Sequence, residues 1–139
     1  MPPACYSLLN FEDMKAGFIL IFSLWVLTGC SKNSSGEKDT VLPVVTISTP
    51  TNGQLFTAGQ SIAISGTVTD NEYIAEIHIH VSNNNTGALL MDVHLYPASN
   101  STSFNQSITA ATGVNYKIQV IAKDRAVNEG RATVEVSCN

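Results

Sequence analysis

From Pro43 onward, hydrophobic and polar residues alternate along the chain with the two-residue period of β-strands. Turn-forming Gly, Pro, Asn, Asp and Ser residues interrupt the alternation at short intervals, and the longer period of an amphipathic helix does not persist in any segment. The pattern therefore predicts seven short strands, each with one face toward a core. The positions predicted to face that core are, strand by strand, Val45 and Ile47; Ile62, Ile64, Gly66 and Val68; Ala75, Ile77, Ile79 and Val81; Leu89, Met91, Val93 and Leu95; Phe104 and Ile108; Tyr116, Ile118, Val120 and Ala122; and Ala132, Val134, Val136 and Cys138.

The two faces of the predicted strands differ in composition. Core-facing positions are mostly aliphatic or aromatic, whereas outward positions are Ser, Thr, Asn or charged residues, as expected for a sheet with one solvated face. Seven such strands favour an all-β, seven-stranded, immunoglobulin-like (Ig-like) Greek-key β-sandwich. We expect the sandwich to occupy residues 43–139, a length that suffices for one domain but not for two.

A hydrophobic segment precedes the predicted domain, in residues 14–30, MKAGFILIFSLWVLTGC. Lys15 supplies the positive charge that begins a signal peptide, and the apolar stretch is too short to span a bilayer comfortably. The ending Leu27-Thr28-Gly29-Cys30 resembles the lipobox of bacterial lipoproteins. This resemblance implies that residues 14–29 are a lipoprotein signal peptide and that Cys30 carries acyl chains such as palmitate. The alternative is a short secretory signal that happens to end in Cys.

The residues on either side of this signal differ in what they predict. Glu12 and Asp13 place negative charge directly before Met14, which does not suit the start of a signal peptide. We therefore expect Met14 to be the true start and residues 1–13 to be an extension upstream of it. Residues 30–42, from the lipidated Cys onward, are polar and contain Gly and Ser, so they predict a flexible tether.

Two short features of the tether bear on location and modification. Ser31 follows the Cys, and by resemblance to the enterobacterial sorting rule this favours the bacterial outer membrane, on its periplasmic or its outer side. Asp39-Thr40-Val41 resembles the short sequon that Bacteroidota glycosylate on secreted proteins, which implies Thr40 as a glycosylation site. The alternative is that these three residues are plain linker.

Charge and cysteine usage exclude two classes of interaction. The net charge is −4, and the Lys and Arg residues form no basic patch, which argues against nucleic acid as a partner. No disulfide within the chain is predicted, because Cys5 precedes the expected start and Cys30 carries lipid. Cys138 faces the core by strand parity, where a free thiol behaves as a small hydrophobic group. The alternative is a fraying terminus that exposes this thiol to an intermolecular disulfide.

Several motifs resemble those of a known family. Gly113-Val114-Asn115-Tyr116 resembles the tyrosine corner of Ig-like domains, in which the Tyr hydroxyl bonds to upstream backbone; a plain core aromatic is the alternative. Residues 116–137 resemble the last hairpin of bacterial and cadherin-like Ig modules, and residues 43–71 resemble their first two strands. With the lipobox, the chain resembles small, uncharacterised Ig-like lipoproteins of Bacteroidota. The resemblance implies the fold and the lipid anchor, and it supplies no catalytic residues.

All three histidines of the chain lie on the third and fourth predicted strands. Strand parity places His78 and His80 on the outer face of the third strand, and Asp92 and His94 on the outer face of the fourth. If the two strands form a hairpin, two registers keep their core faces aligned. In the first register His80 pairs with Asp92 and His78 pairs with His94. In the second register His78 pairs with Asp92 and Glu76 pairs with His94.

Either register brings imidazoles and a carboxylate within reach of one metal ion, since opposed Cβ atoms are about 4.5–5.5 Å apart. Such ligands suit Zn²⁺, Cu²⁺ or Ni²⁺, so the candidate metal ligands are His78, His80, Asp92 and His94. One alternative is an exposed strand pair that binds nothing. The other is that the two strands lie in different sheets, which would disperse the four side chains.

A second candidate cation site lies in two loops. In an Ig-like sandwich the loops after the second and sixth strands meet at one end. Here these loops carry Asp70, Asn71, Glu72, Asp124, Asn128 and Glu129. Hard oxygen ligands suit Ca²⁺, which makes Asp70, Glu72, Asp124 and Asn128 candidate Ca²⁺ ligands. The alternative is that Asp and Asn cap their own turns.

Motifs of catalysis do not occur in the sequence: it contains no Gly-rich phosphate loop, Cys-x-x-Cys, nucleophile elbow or His-Glu-x-x-His. We therefore expect that the protein is not an enzyme. We expect a membrane-anchored lipoprotein that presents one Ig-like binding or accessory module to a protein, a glycan or an ion. The alternatives are a metal-binding lipoprotein, with zinc or copper at the histidines, and a structural envelope subunit whose edge strands pair with a partner.

Overall fold

The computed structural model of the chain describes residues 37–139, and every regular element among them is a β-strand. The strands are β1 (Val44–Thr49), β2 (Leu55–Phe56), β3 (Ser61–Asn83), β4 (Leu89–Leu95), β5 (Ser99–Thr109), β6 (Asn115–Asp124) and β7 (Glu129–Cys138). In this part of the chain no helix is long or apolar enough to cross a membrane. The prediction of an all-β domain with seven strands is confirmed.

One long strand, β3, is shared between two sheets and joins them. Its first half, residues 61–69, pairs antiparallel with β1 and β5. Its second half, residues 74–83, pairs antiparallel with β4 and β6. The second sheet continues from β6 to β7, and β2 pairs with β7 in parallel. The two sheets enclose one hydrophobic core, which gives the Ig-like β-sandwich.

The strand boundaries differ from the prediction in the first half of the domain. The predicted second and third strands are one strand, because the segment between them bends the chain without ending the strand. Asp70 makes this bend: its Oδ1 accepts hydrogen bonds from the backbone N–H groups of Glu72 (3.0 Å) and Tyr73 (2.8 Å). The short strand β2 is absent from the prediction, because two residues are too few to show alternation.

The core of the sandwich consists largely of the predicted inward positions. Its buried side chains are Ile62, Ile64, Val68, Ile74, Ile77, Ile79, Val81, Phe104, Ala110, Tyr116, Ile118, Val120, Ala122, Val136 and Cys138. Gly66 also faces inward, and a side chain does not fit there. A Cβ atom on Gly66 would lie 2.0 Å from the Thr46 carbonyl oxygen and 2.6 Å from Phe104 Cζ. The missing side chain lets β1 and the Phe104 ring approach the strand closely.

Three predicted inward positions, Ala75, Leu89 and Ala132, lie outside the core, and a shift in strand pairing explains the first two. Ala75 is only half-buried, because the β3–β6 pairing shifts by one residue between Ile74 and Glu76. Ile74 takes the core position instead. Leu89 is 54% exposed, because the β3–β4 pairing also shifts near the end of the hairpin. Alternation alone does not show where one strand gains an extra residue.

Two predictions about single side chains are confirmed. The backbone N–H of Ala111 donates a hydrogen bond of 2.7 Å to the hydroxyl of buried Tyr116, which is the upstream contact expected of a tyrosine corner. Cys138 is buried and is a free thiol, as its strand parity predicts. Both residues thus stabilise the core and the last strands of the sandwich.

Candidate metal sites on the sheet face and at the loop end

The β3–β4 hairpin has the first of the two predicted registers. His78 lies opposite His94, and His80 lies opposite Asp92. The turn that sets this register is built on Asn83, whose side-chain Oδ1 accepts hydrogen bonds from the backbone N–H groups of Asn85 and Thr86. Gly87 closes the turn at a φ of 75°, a conformation that favours glycine. The two strands therefore lie in one sheet, and their outer faces are continuous.

The side chains on this face make their contacts diagonally across the hairpin. His78 Nε2 contacts Asp92 Oδ1, and His94 Nδ1 lies 2.5 Å from Glu76 Oε1. These are the pairs of the second predicted register, although the backbone adopts the first. Diagonal neighbours are within reach of long and aromatic side chains in an antiparallel pair. The sheet thus combines both predicted sets of contacts in one cluster.

The three imidazole rings of the cluster pack against one another. The rings of His78 and His94 are stacked, with centroids 4.2 Å apart and planes within 14°. The ring of His80 meets His78 edge-on, with centroids 5.7 Å apart. The packing restricts ring rotation, so the nitrogen atoms point in defined directions.

Three residues of this cluster form a group that can hold one metal ion. His78, His80 and Asp92 each offer a ligand atom, and these atoms all lie within 4.8 Å of one another. Two imidazole nitrogens and one carboxylate oxygen, with bonds of about 2.0–2.2 Å, are a ligand set found at zinc sites, and such ligands also suit copper. His94 lies outside this group of three, although its Nε2 is 3.5 Å from Asp92 Oδ1. We call His78, His80, Asp92 and His94 the histidine face.

The carboxyl groups beside these rings are held in their ionised form. The hydrogen bond with His78 is the largest cause that lowers the pKa of Asp92, and it outweighs the opposing effect of desolvation. The hydrogen bond with His94 is likewise the largest cause that lowers the pKa of Glu76, and Lys123 adds a smaller charge effect. Both carboxylates are therefore negative at neutral pH. A carboxylate that binds a metal ion must be ionised, and an ionised carboxylate also accepts a hydrogen bond from a neighbouring histidine.

The second candidate site lies where the bend of β3, the end of β6 and the segment before β1 meet, and it contains three carboxylates. Asp39, Asp70 and Asp124 each place an oxygen atom within 4.8 Å of the others. Asp124 is only 5% exposed, and it accepts hydrogen bonds from the backbone N–H (2.7 Å) and the Nδ2 (2.6 Å) of Asn128. Asp70 Oδ2 is buried and has no hydrogen-bond partner among residues 37–139. We call this group the loop end.

The structure changes the membership of the loop end relative to the prediction. Asp70, Asp124 and Asn128 come together as predicted, whereas the carboxylate of exposed Glu72 does not belong to the group. Asp39 was missed, because it lies in the segment predicted to be tether. Its carbonyl oxygen accepts a hydrogen bond of 3.0 Å from Asn128 Nδ2, and its Oδ1 accepts one of 3.2 Å from Asn71 Nδ2. The last residues of the predicted tether are therefore attached to the domain.

The other predicted sites lie away from both clusters. Cys30, together with the predicted signal peptide at residues 14–29, lies outside the described residues. Thr40 is exposed, beside Asp39. An open groove of about 230 Å³ lies near the start of β6, at the opposite end of that strand from the loop end. It is lined by Gly53, Asn84, Asn115, Glu135, Val136 and Ser137. Neither cluster lies in this groove, and the side chains of the histidine face are partly exposed on the surface of the sheet.

Known proteins resemble this chain over its Ig-like domain. The family model described as "Bacterial Ig domain" matches residues 43–136. The fibronectin(III)-like modules of CbhA from Clostridium thermocellum align with 25% identity and a TM-score of 0.48, over 68% of this chain and 94% of that chain. No curated protein matches the chain.

Two further solved structures are similar at lower identity. The superoxide reductase (neelaredoxin) from Ignicoccus hospitalis aligns with 14% identity and a TM-score of 0.48, over 71% of this chain and 81% of that chain. Wild-type OgpA from Akkermansia muciniphila aligns with 10% identity and a TM-score of 0.48, over 70% of this chain and 28% of that chain.

Proposed function

Because the chain belongs to the bacterial Ig domain family, we propose that it is a membrane-anchored Ig-like module that binds a single Zn²⁺ or Cu²⁺ ion on its histidine face. The observation that carries the proposal is the convergence of ligand atoms of His78, His80 and Asp92 within 4.8 Å. These three side chains stand on two hydrogen-bonded strands rather than on loops. A rigid strand pair fixes the distances between ligands before the ion arrives, which reduces the ordering cost of binding.

The environment of the three ligands also supports metal binding. The side chains of His78 and Asp92 are 28% and 41% exposed, so an ion reaches them directly from solvent. In the metal-free protein, ionised Asp92 is a hydrogen-bond acceptor, so the proton of this contact lies on His78 Nε2. When Nε2 is the ligating nitrogen, this proton moves to Nδ1, because a ligating nitrogen must offer its lone pair.

The proposed role is binding rather than catalysis. An open sheet face leaves a bound ion accessible to a partner, whereas an enclosed cavity would be needed to exclude water from a reaction. We propose that the module presents its metal-bearing face to an envelope protein or a glycan. A carboxylate or imidazole of such a partner is able to bind the ion in addition to the ligands of the histidine face.

The anchor is the second part of the proposal. The lipobox-like ending at Cys30 supports lipidation, and Ser31 supports the outer membrane as the location. Replacing Cys30 by Ala should release the protein from the membrane fraction into the soluble fraction of a bacterial host. A Cys138→Ala variant should remain membrane-bound, since this thiol is buried in the domain. Membrane retention of the Cys30→Ala variant would contradict lipid anchoring.

Metal binding is tested by titrating Zn²⁺ into the full chain, purified in detergent and freed of metal. We expect one Zn²⁺ per chain, measured by competition with a chromophoric chelator. The His78→Ala/His80→Ala double variant should lose this binding, because it removes both nitrogen ligands of the group of three. A Thr133→Ala variant is the matched control, since Thr133 is exposed on β7 of the same sheet. Equal binding by the double variant and the control would refute the proposal.

A second candidate function, Ca²⁺ binding at the loop end, is favoured by one specific observation. Within the described part of the chain, Asp70 Oδ2 is buried without a hydrogen-bond partner, beside the carboxylates of Asp39 and Asp124. A hard cation would satisfy this oxygen and offset the repulsion among the three negative groups. Millimolar Ca²⁺ should then raise the melting temperature of the full chain, and the rise should disappear in Asp70→Asn. Equal melting temperatures with Ca²⁺ and with a chelator would exclude this site.

A further inference from the structure

His94 contacts a carboxylate that lies outside the histidine face, that of Glu76. Its Nδ1 lies 2.5 Å from Glu76 Oε1. Glu76 belongs to β3 and stands on the same outer face as His78, two residues away. Its opposite neighbour on β6 is Lys123, whose Nζ lies 3.9 Å from Glu129 Oε2. His94 is therefore the hydrogen-bond partner of Glu76.

The contact with Glu76 determines which nitrogen of His94 carries the proton. An ionised carboxylate only accepts hydrogen bonds, so Nδ1 must be the donor. In the neutral ring the other nitrogen, Nε2, then presents its lone pair. That lone pair lies 3.5 Å from Asp92 Oδ1, which is also an acceptor. Two acceptors at this separation repel each other unless a proton or a metal ion lies between them.

We infer that Glu76 is a positioning residue that makes His94 a further ligand of the metal ion bound by His78, His80 and Asp92. The inference rests on the proposed metal site and adds a fourth protein ligand to it. The separation of 3.5 Å between His94 Nε2 and Asp92 Oδ1 suits two ligands of one ion, each about 2.0–2.2 Å from it.

The arrangement of Glu76 and His94 follows a general rule of metal sites. A ligating histidine usually donates its other N–H to a carboxylate, which fixes the tautomer and makes the ligand more basic. Stacking of the His94 ring on His78 fixes the plane of the ring as well. Three imidazoles and one carboxylate form a ligand set for Cu²⁺ or Zn²⁺.

Pulsed electron paramagnetic resonance of the Cu²⁺-loaded full chain tests the inference, because it counts coordinated imidazoles. We expect three imidazoles in the unmodified chain and two in Glu76→Gln and in His94→Ala. We also expect Glu76→Gln to weaken Zn²⁺ binding by about 10- to 100-fold. A Glu135→Gln variant removes an exposed carboxylate from β7 and should change neither result. Melting temperatures without metal should agree within a few degrees among all four proteins, which separates coordination from folding.

The outcomes distinguish the inference from the proposal on which it depends. If the unmodified chain binds neither Cu²⁺ nor Zn²⁺, the proposed metal site itself is wrong. If it binds one ion with two imidazoles, and Glu76→Gln leaves both count and affinity unchanged, the metal site stands and the role of Glu76 is refuted. If the count falls to two in His94→Ala but stays at three in Glu76→Gln, His94 is a ligand that needs no positioning residue, which also overturns the inference.

Discussion

The histidine face and the loop end are both clusters of potential metal ligands, but the fold builds them in different ways. The histidine face stands on the paired strands β3 and β4, and its side chains are partly exposed. The loop end joins residues from three separate segments, and its central residue, Asp124, is buried. The first cluster therefore adds little to the stability of the fold, whereas the second is part of the structure that closes the sandwich.

The two clusters differ in whether the fold depends on their side chains. The strands of the histidine face would pair in the same way without its imidazoles, because the opposite face carries the core. The Asp124 carboxylate has a structural partner in Asn128, which it holds through two hydrogen bonds. Removing a carboxylate from each region should thus give opposite results in binding and in stability.

Asp92→Ala should have the largest effect on metal binding and almost none on stability. Loss of an outer-shell partner already weakens metal binding by about 10- to 100-fold, so loss of a ligand should cost at least about 100-fold. The melting temperature without metal should stay unchanged, because this side chain is exposed. Chelator competition and thermal unfolding of the same preparation measure the two effects. A large fall in melting temperature would mean that Asp92 is a structural residue.

Asp124→Ala should show the reverse pattern. It leaves the backbone N–H of half-buried Asn128 without its acceptor and leaves the Asn128 amide with only the Asp39 carbonyl oxygen, which costs about 1–3 kcal/mol. Urea unfolding should reveal this loss as a lower midpoint, while Zn²⁺ affinity stays unchanged. Asp124→Asn is the control, since its remaining oxygen can still accept from the Asn128 N–H, and its loss should be smaller. Unchanged stability in Asp124→Ala would remove the distinction between the two regions.

Asp70→Asn should have a smaller effect, and of the opposite sign. The amide keeps one oxygen for the N–H groups of Glu72 and Tyr73, and it places a donor where Oδ2 now lacks a partner. It also removes one of three neighbouring negative charges. Without Ca²⁺ we expect a gain in unfolding free energy of about 0–1 kcal/mol, the usual scale of a single hydrogen bond. A clear loss of stability in urea would show that the buried oxygen already has a partner in solution.

The smallest expected effect is the contribution of Glu76 to stability and its loss at acid pH. Its pKa is lowered in the folded protein, chiefly by the hydrogen bond with His94. A lowered folded-state pKa stabilises the protein above the unfolded pKa of about 4.3, and this contribution is lost as the pH falls through the folded value. Solvent screening keeps it below about 1 kcal/mol. The difference in urea midpoint between the unmodified chain and Glu76→Gln should therefore shrink below about pH 4; a difference that grows there would contradict the assignment.

Much of the sandwich and of the histidine face follows from the period of the sequence. A two-residue period assigns each side chain to a face, so His78 and Asp92 had to share the outer surface once β3 and β4 paired. The pairing itself was open, because two registers preserve the core face equally well. The turn at Asn83 and Gly87 decides between them. The diagonal contacts depend on how the side chains lean across the hairpin, which no period records.

The loop end was less predictable for a physical reason. Asp39 reaches it from a polar segment without any period, and contacts between distant polar residues leave no pattern in one sequence. Its hydrogen bonds to Asn71 and Asn128 appear only in three dimensions. Similarly, the one-residue shift at Ala75 interrupts a strand that reads as continuous alternation. The two-residue period therefore predicts well which face of a sheet a side chain occupies. It predicts β-bulges and contacts between loops poorly.

A crystal structure of the full chain with Zn²⁺ tests the two regions directly. The diffraction data are collected on both sides of the zinc absorption edge. An anomalous difference map locates the ion without reference to affinity or stability. We predict one strong peak among His78, His80 and Asp92, with density for His94 Nε2 within bonding distance of it. A map with no peak on the histidine face, or with its strongest peak among Asp39, Asp70 and Asp124, would contradict the assignment of the metal site to the sheet.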